Sequence, residues 1–367
     1  MSFYVRATIT YIVFYLYIRL WVCRLLVDNP RLKRGVLAAA DLMTLVMPIT
    51  VFFPEKLPYL LKILMQGAGY SWAAIIVCMV PLGLCFEPIR WGMKILGNGI
   101  KIPRLKIFAA LCLISIVMAV GGYINATSPI VKEVDFDLSK GSKDAREYRV
   151  VMFSDLHAGK LMTSDRVGGV VNMVNSLNPE IVLMVGDVLD DHDSEISGAV
   201  NELARIKAPL GKYAVLGNHE YYLGNEWSLR MLKNQGIEVL VDSTTVVDNR
   251  FLLAGRNDFA TMRGGGIRRA LNNVIPKDNK LPIILMDHTP HHLEEAQKAD
   301  VALQVSGHTH NGQLFPFNLV VKRIYEEEYG TYRKGDTNYY ISCGVGIWGP
   351  PLRTTSRPEV VLMKIKI

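Results

Sequence analysis

The rhythm of apolar and polar positions changes once along this chain, near residue 124. Before that point four long apolar stretches, residues 7–27, 35–53, 69–86 and 106–123, alternate with short basic loops. Each is long enough for a helix to cross the hydrocarbon core of a bilayer, which takes about 20 residues. The first predicts a retained helix rather than a cleaved signal peptide. Its apolar run is long, it lacks a small-residue cleavage site, and three further spans follow. From residue 148 onward, short β-rich runs alternate with helical patterns. Strands are predicted at 149–153, 181–185, 213–216, 238–241, 251–254, 283–286, 302–305, 339–342 and 360–365. Helices are predicted at 163–177, 195–206, 226–235 and 290–298. That alternation predicts a layered α/β domain. The expected organisation is a transmembrane four-helix domain over 1–124, a linker over 125–147 and a second domain over 148–367.

Charge sharpens this picture. Residues 1–124 hold thirteen Lys and Arg against four Asp and Glu, whereas the remainder holds 28 basic and 30 acidic residues. A nucleic-acid-binding protein would carry its basic surplus on the polar domain, so that class is excluded. The loop after the first span carries Arg24, Arg31, Lys33 and Arg34. The loop after the third carries Arg90, Lys94, Lys101, Arg104 and Lys106, and the loop after the second only Lys56 and Lys62. The positive-inside rule then puts the first and third loops in the cytoplasm. Both termini and the polar domain are expected outside, as in a multi-pass inner-membrane protein with a periplasmic domain. Arg19 and Asp41 interrupt apolar stretches. They read either as a snorkelling Arg with a separate helix-facing carboxylate, or as an ion pair or headgroup contact. Of five cysteines only Cys343 lies in the polar part, so no disulfide framework is available there.

Five short motifs carry the candidate chemistry, each after an apolar strand-like run. VVMFSDLH supplies Asp155 and His157, and IVLMVGDVLDD supplies Asp187. YAVLGNHE supplies Asn218, His219 and Glu220. PIILMDHTP supplies His288, and VALQVSGHTH supplies His308 and His310. Strand ends followed by tight turns are where ligand groups converge in α/β sheets. The spacing of two within D-L-H and H-T-H would put both side chains on one face of an extended segment. Two Asp, four His and one Asn suffice for two divalent ions with one bridging carboxylate. Oxygen and nitrogen donors suit Mn, Zn, Fe or Co, and the lack of thiolates argues against a structural zinc site. Two such ions about 3.5–4 Å apart clamp an in-line phosphoryl displacement and lower the pKa of a bridging water toward neutrality. His219 would then protonate the leaving oxygen or stabilise the transition state.

The ordered set D-x-H, G-D, G-N-H-[DE], H, G-H-x-H resembles the calcineurin-like metallophosphoesterase superfamily. The tail GVGIWGPPLRTTSRPEVVLMKI is similar to its membrane-associated YkuE/YaeI-like branch. The resemblance covers residues 148–367. It implies a four-layer α/β/β/α sandwich. It also implies that Asp155, His157 and His310 bind one metal, that Asp187 bridges, that Asn218, His288 and His308 bind the second, and that His219 assists the leaving group. Asn311 departs from the pattern, standing where Gly is frequent.

Weaker candidates remain open. His192, among Asp190, Asp191 and Asp193, reads as a substrate contact or as part of a helix cap. Arg256 and Arg263 read as phosphate contacts or surface charges. Arg353 reads as closing on phosphate or bracing Glu359. Tyr221, Tyr222 and Trp348 line a pocket or belong to the core.

The expected function is hydrolysis of phosphomonoester, phosphodiester or pyrophosphate bonds by attack of a metal-bridged hydroxide. A lipid-linked or cell-envelope phosphate is the expected substrate, since a basic membrane module holds anionic headgroups. One alternative is a UDP-diacyl-sugar pyrophosphatase of lipid A type synthesis, which needs a cytoplasmic site. Another is a non-catalytic metal-binding sensory module.

Overall fold

The computed structural model describes residues 3–53, 56–95, 103–191 and 196–367, which divide into two compact units. The first is built on four helices, α1 Phe3–Leu25, α2 Pro30–Phe52, α3 Tyr59–Ile95 and α4 Arg104–Ala126. All four are long and apolar enough to cross a membrane. Pro30 opens α2 at a position where no N–H is needed, whereas Pro48, Pro81 and Pro88 lie inside helices, as membrane helices tolerate. Tyr15, Ala40, Ala73 and Ile76 form one buried cluster, and Ile18, Val22, Leu26 and Met79 another. Arg19 and Asp41 make an ion pair, Nε to Oδ1 at 3.1 Å, and the Tyr15 hydroxyl donates to the same carboxylate. The pair reading therefore holds over the isolated snorkelling one. A second polar cluster centres on Glu87, which accepts from Trp21, Arg24 and Arg90 at 2.7–3.0 Å.

The second unit contains two six-stranded sheets. The first sheet comprises β1 Ile130–Asp137, β2 Glu147–Phe153, β3 Ile181–Val185, β4 Lys212–Val215, β5 Glu238–Val239 and, from the far end of the chain, β12 Glu359–Lys366. Its order is β1-β12-β2-β3-β4-β5, and β2 to β5 are mutually parallel. The second comprises β6 Ser243–Val247, β7 Phe251–Gly255, β8 Ile283–Met286, β9 Leu303–Ser306, β10 Gly330–Lys334 and β11 Thr337–Ile341. Its order is β10-β11-β9-β8-β7-β6, with β7, β8, β9 and β11 parallel.

Helices α5 Ser164–Ser176, α6 Ile196–Glu202, α7 Asn218–Leu223, α8 Asn225–Lys233, α9 Ala260–Arg263, α10 Leu293–Lys298 and α11 Phe317–Ile324 complete this unit. The central strands β3, β7 and β8 are buried on both faces, so they read as continuous apolar runs. Along β2, Val150 and Met152 face the other sheet with Leu183, Leu253 and Met286, while Val151 and Phe153 face the helices with Val170 and Val200. Leu252 and Leu285 of the second sheet pack outward on Leu293 and Ala296 of α10. These three cores define helix, sheet, sheet and helix layers, the expected α/β/β/α sandwich.

The segment 125–147, read from sequence as a linker, contains β1. Its residues alternate half-buried and exposed, with Lys132, Glu133 and Asp135 among them, and it pairs in parallel with β12 from Ile130–Glu359 onward. An edge strand whose partner lies more than 200 residues away leaves only a charged, weakly patterned signature. Strands β6 and β10 and helices α7 and α11 were likewise not predicted. β6 and β10 are polar edge strands, and α7 and α11 are too short for a clear helical period.

Candidate metal centre

All five motifs follow the C-terminal ends of parallel strands, after β2, β3 and β4 of one sheet and β8 and β9 of the other, and Asn218, His219 and Glu220 open α7. The residues spaced by two converge for a different reason from the one expected. They lie beyond the strand ends, and Asp155, His157, Asp187, His308 and His310 all have left-handed backbones, with φ between 49° and 69°. Such conformations cost roughly 1 kcal/mol or more each and persist only where surrounding structure imposes them. Their concentration on five of the seven expected ligands marks a site whose geometry is enforced.

Two glycines allow the close approach. Gly186 has φ of 78°, and a Cβ there would lie 2.4 Å from His288 Nδ1. At Gly217 a Cβ would lie 2.2 Å from Asp187 Oδ1 and 2.7 Å from His288 Nε2, so it would fill the cradle.

Within that cradle three sets of donor atoms lie within 4.8 Å of one another: Asp155, His157 and His310; His157, Asp187 and His219; and Asp187, His288 and His308. His157 Nε2 is 3.2 Å from His310 Nε2, and His310 Nε2 is 3.4 Å from Asp155 Oδ1. On the other side His288 Nε2 is 3.2 Å from Asp187 Oδ2. Asp187 thus faces both groups, the place a shared carboxylate needs.

The residues fit divalent cations on a separate ground. Asn218 Oδ1 and His308 Nδ1 are buried without a hydrogen-bond partner, and His288 Nε2 meets the Asp187 carboxylate at 3.2 Å. An unsatisfied buried polar atom costs about 1–3 kcal/mol, and two such atoms among the expected ligands are what a cation would relieve. His288 donates Nδ1–H to Val185 O at 2.7 Å, which leaves the Nε2 lone pair turned to the site.

Electrostatics agree. Burial raises the Asp187 carboxyl, but His288, His219 and His157 outweigh it and hold the group well below its usual range. Burial lowers His308 and His310, the latter further through the Arg353 guanidinium, so both rings are held neutral, the state that ligates. His288 is instead raised well above the usual value, because Asp187 outweighs its burial. A cation at Asp187 would displace that proton.

His219 stands beside the cradle. Its backbone N–H donates to Asp187 Oδ1 at 2.8 Å, and its Nδ1 meets Asp190 Oδ1 in a short hydrogen bond. Burial lowers its pKa, yet Asp187 and Asp190 outweigh this and push it up to about 9. Asp190, which is not among the expected metal ligands, favours the protonated ring that a proton donor requires. Tyr222 and Trp348 flank it, with ring centroids 5.5 and 6.1 Å away. Tyr221 turns aside to donate to Asn257.

Three supporting residues were not given these roles from sequence. Asp190, read as part of a cap, orients His219. Glu220, fully buried, accepts from the backbone N–H of Asp187 at 3.0 Å, Leu189 at 2.8 Å and Gly217 at 2.7 Å. It pins the Asp187 loop to the Asn218 turn. Its place in G-N-H-E was the available signal, but two of its three partners, Asp187 and Leu189, are 33 and 31 residues away.

Arg353, expected on phosphate or Glu359, is fully buried behind the site. It donates to Cys343 O at 2.7 Å, Gly346 O at 2.9 Å and His310 Nδ1 at 3.1 Å, so it braces a ligand loop. Arg256, also expected on phosphate, is buried with Glu295 at 2.5 Å and Asp287 at 3.7 Å, and it too is a brace. Burial is the physical reason for both corrections, Arg256 against carboxylates and Arg353 against backbone carbonyls and the His310 ring. Arg263 reaches Tyr222 OH at 3.3 Å. His192 lies outside the described residues.

A profile of the calcineurin-like phosphoesterase family matches residues 148–312. The chain is 34% identical over 271 residues to a zebrafish (Danio rerio) transmembrane protein with metallophosphoesterase domain, covering 69% of this chain and 61% of that one. It thus spans about three fifths of that relative. It is 37% identical over 227 residues to a metallophosphoesterase of Aquifex aeolicus, covering 60% of this chain and 85% of that one. It is 26% identical over 229 residues to the metallophosphoesterase YkuE of Bacillus subtilis, covering 60% and 79%.

Proposed function

The chain belongs to the calcineurin-like metallophosphoesterase family and is a membrane-bound phosphoester hydrolase; from this premise we propose that it holds two divalent ions and cleaves a lipid-linked or cell-envelope phosphate ester. The observation that carries the two-ion reading is the division of the donor atoms into groups on either side of Asp187. Asp155, His157 and His310 would hold one ion, Asn218, His288 and His308 the other, with Asp187 between them. Ions bound there supply Lewis acidity to a phosphoryl oxygen and lower the pKa of an attacking water.

The chain's own groups do the rest. Asp190 fixes the His219 ring, and the protonated ring is placed to give its proton to the departing oxygen. Glu220 and Arg353 keep the ligand loops in their left-handed conformations, so the site is organised before substrate arrives. Tyr222 and Trp348 supply aromatic walls at the mouth.

Four spans, more than an anchor requires, and the basic loops between them support a lipid-linked substrate. The loop charges support an extracytoplasmic catalytic domain. The purified full chain with Mn²⁺ should hydrolyse bis-p-nitrophenyl phosphate or p-nitrophenyl phosphate, and Asp187→Ala should abolish turnover. Two bound metals with no turnover of these or of phospholipids would instead support the sensory reading. A C-terminal alkaline-phosphatase fusion active only in the cytoplasm would reverse the orientation and favour a UDP-diacyl-sugar substrate.

A further inference from the structure

Helix α11 leaves most of its apolar stripe exposed. At 100° per residue, Phe317, Val320, Val321 and Ile324 share an arc of roughly 100°, the width of an ordinary core-facing stripe. In a soluble domain that stripe turns inward. Here Phe317 is 41% exposed, Val320 53% and Ile324 59%, Val321 is half-buried, Leu319 is exposed on another side of the helix, and no residue of the helix is fully buried. The side turned to the domain carries the half-buried Asn318, whose Cα would lie 2.4 Å from a Cβ at Gly312. Lys322 and Arg323 are exposed at the end of the same helix. The acidic run Glu326–Glu328 follows Tyr325, and its first member is tied to Lys334 at 2.7 Å.

We propose that α11 is an interfacial membrane helix, which seats its Phe317–Val320–Ile324 stripe in the bilayer surface with Lys322 and Arg323 on anionic lipid phosphates. Apolar residues on one face with basic residues flanking them match the composition of helices that lie in the headgroup layer. The occupant is lipid rather than a soluble partner because of how the chain is tethered. Only residues 127–129 separate α4, a membrane-spanning segment, from β1. So short a connection keeps near the bilayer the face beside Asn125, whose side chain donates to Arg353 O and Ser356 O. Thr354 of that same segment accepts from Phe315 N at the approach to α11.

The location gives the helix a use. It is bracketed by the metal centre, following the His310–Gly312 turn and preceding Tyr325. The Tyr325 ring stacks on His291 at 4.7 Å and lies 6.1 Å from the His308 ring. A seated α11 therefore brings the loops that carry His308 and His310 toward the phosphate layer. This use rests on the lipid-phosphate reading above, whereas the docking itself does not.

The test places p-benzoylphenylalanine at position 317 of the full chain, reconstituted in vesicles of phosphatidylcholine and phosphatidylglycerol at about 7:3. This ratio supplies the negative surface that the basic residues would meet. A control carries the same group at Phe251, which is buried between the sheets. After irradiation, mass spectrometry should find phospholipid adducts at 317 and none at 251. Lys322→Glu with Arg323→Glu should weaken the docking about 25-fold or more and cut the adduct yield accordingly, since each basic residue near an anionic surface contributes a factor of about five. No lipid adduct at 317, or adducts only to the chain's own peptides or to a second copy, would overturn the proposal. Adduct formation without turnover of any lipid would leave the docking standing and sink the lipid-substrate reading.

Discussion

Glu220 is the most informative single position to perturb, because one carboxylate holds two ligand loops. Its Oε2 accepts from Asp187 N and Gly217 N, and its Oε1 from Leu189 N, all in a fully buried setting. Glu220→Ala leaves three buried N–H groups without an acceptor, each costing about 1–3 kcal/mol. Some of that cost is offset. Burial first and the Asp187 charge second push the Glu220 carboxyl up to about 7, so the substitution also removes a repulsion. A net loss of about 5 kcal/mol is expected, which corresponds to roughly 10–20 °C in Tm for a domain of this size. The ligands then lose their support, and metal affinity should fall about 10–100-fold, as for other groups that orient ligands.

Glu220→Gln separates the terms. Its remaining oxygen serves the Asp187 and Gly217 donors, while its NH₂ confronts the Leu189 N–H, so only about 1–3 kcal/mol is lost. Thermal unfolding of the purified full chain and metal content after dialysis against a competing chelator measure both effects. If Glu220→Ala keeps wild-type Tm and retains metal as the wild type does, the bracing role is wrong.

Further outcomes follow from the same geometry. Gly217→Ala should abolish metal retention while leaving far-UV circular dichroism unchanged, because its Cβ meets Asp187 Oδ1 at 2.2 Å; normal metal content would refute the cradle. Asp190→Asn should lower kcat about 10–100-fold with little change in KM, since it acts through His219 on proton transfer; an equal rise in KM would point to substrate binding instead. Glu359→Ala removes the acceptor of Tyr329 OH at 2.9 Å, Tyr340 OH at 3.0 Å and Ser342 Oγ at 3.1 Å, so Tm should fall by about 10 °C or more; a drop of a degree or two would show those donors re-paired. Stripping the wild type with a chelator should lower its Tm, and Mn²⁺ should restore it, by mass action on the folded state.

The gathering of Asp155, His157, Asp187, His219, His288, His308 and His310 was legible from sequence because each sits within a few residues of a strand end. A turn after a buried strand is a local event, and Gly186 and Gly217 advertise it in the chain itself. The apolar spans were legible for a similar reason, since twenty consecutive apolar residues need no partner to be recognised. What sequence by itself could not decide depends on residues that meet only through space. The left-handed backbone at Asp155 or His308 is imposed by neighbours, and nothing in D-L-H or H-T-H announces it. Arg353 looked like a phosphate ligand until tertiary structure buried it against His310, 43 residues earlier in the chain. β1 looked like a linker until β12 supplied its hydrogen bonds. Helix α11 shows the limit most sharply. Its sequence fixes which residues share the apolar stripe, but only packing on the Gly312 turn decides that the stripe faces outward. Periodicity encodes a face, and the rest of the fold determines what that face meets.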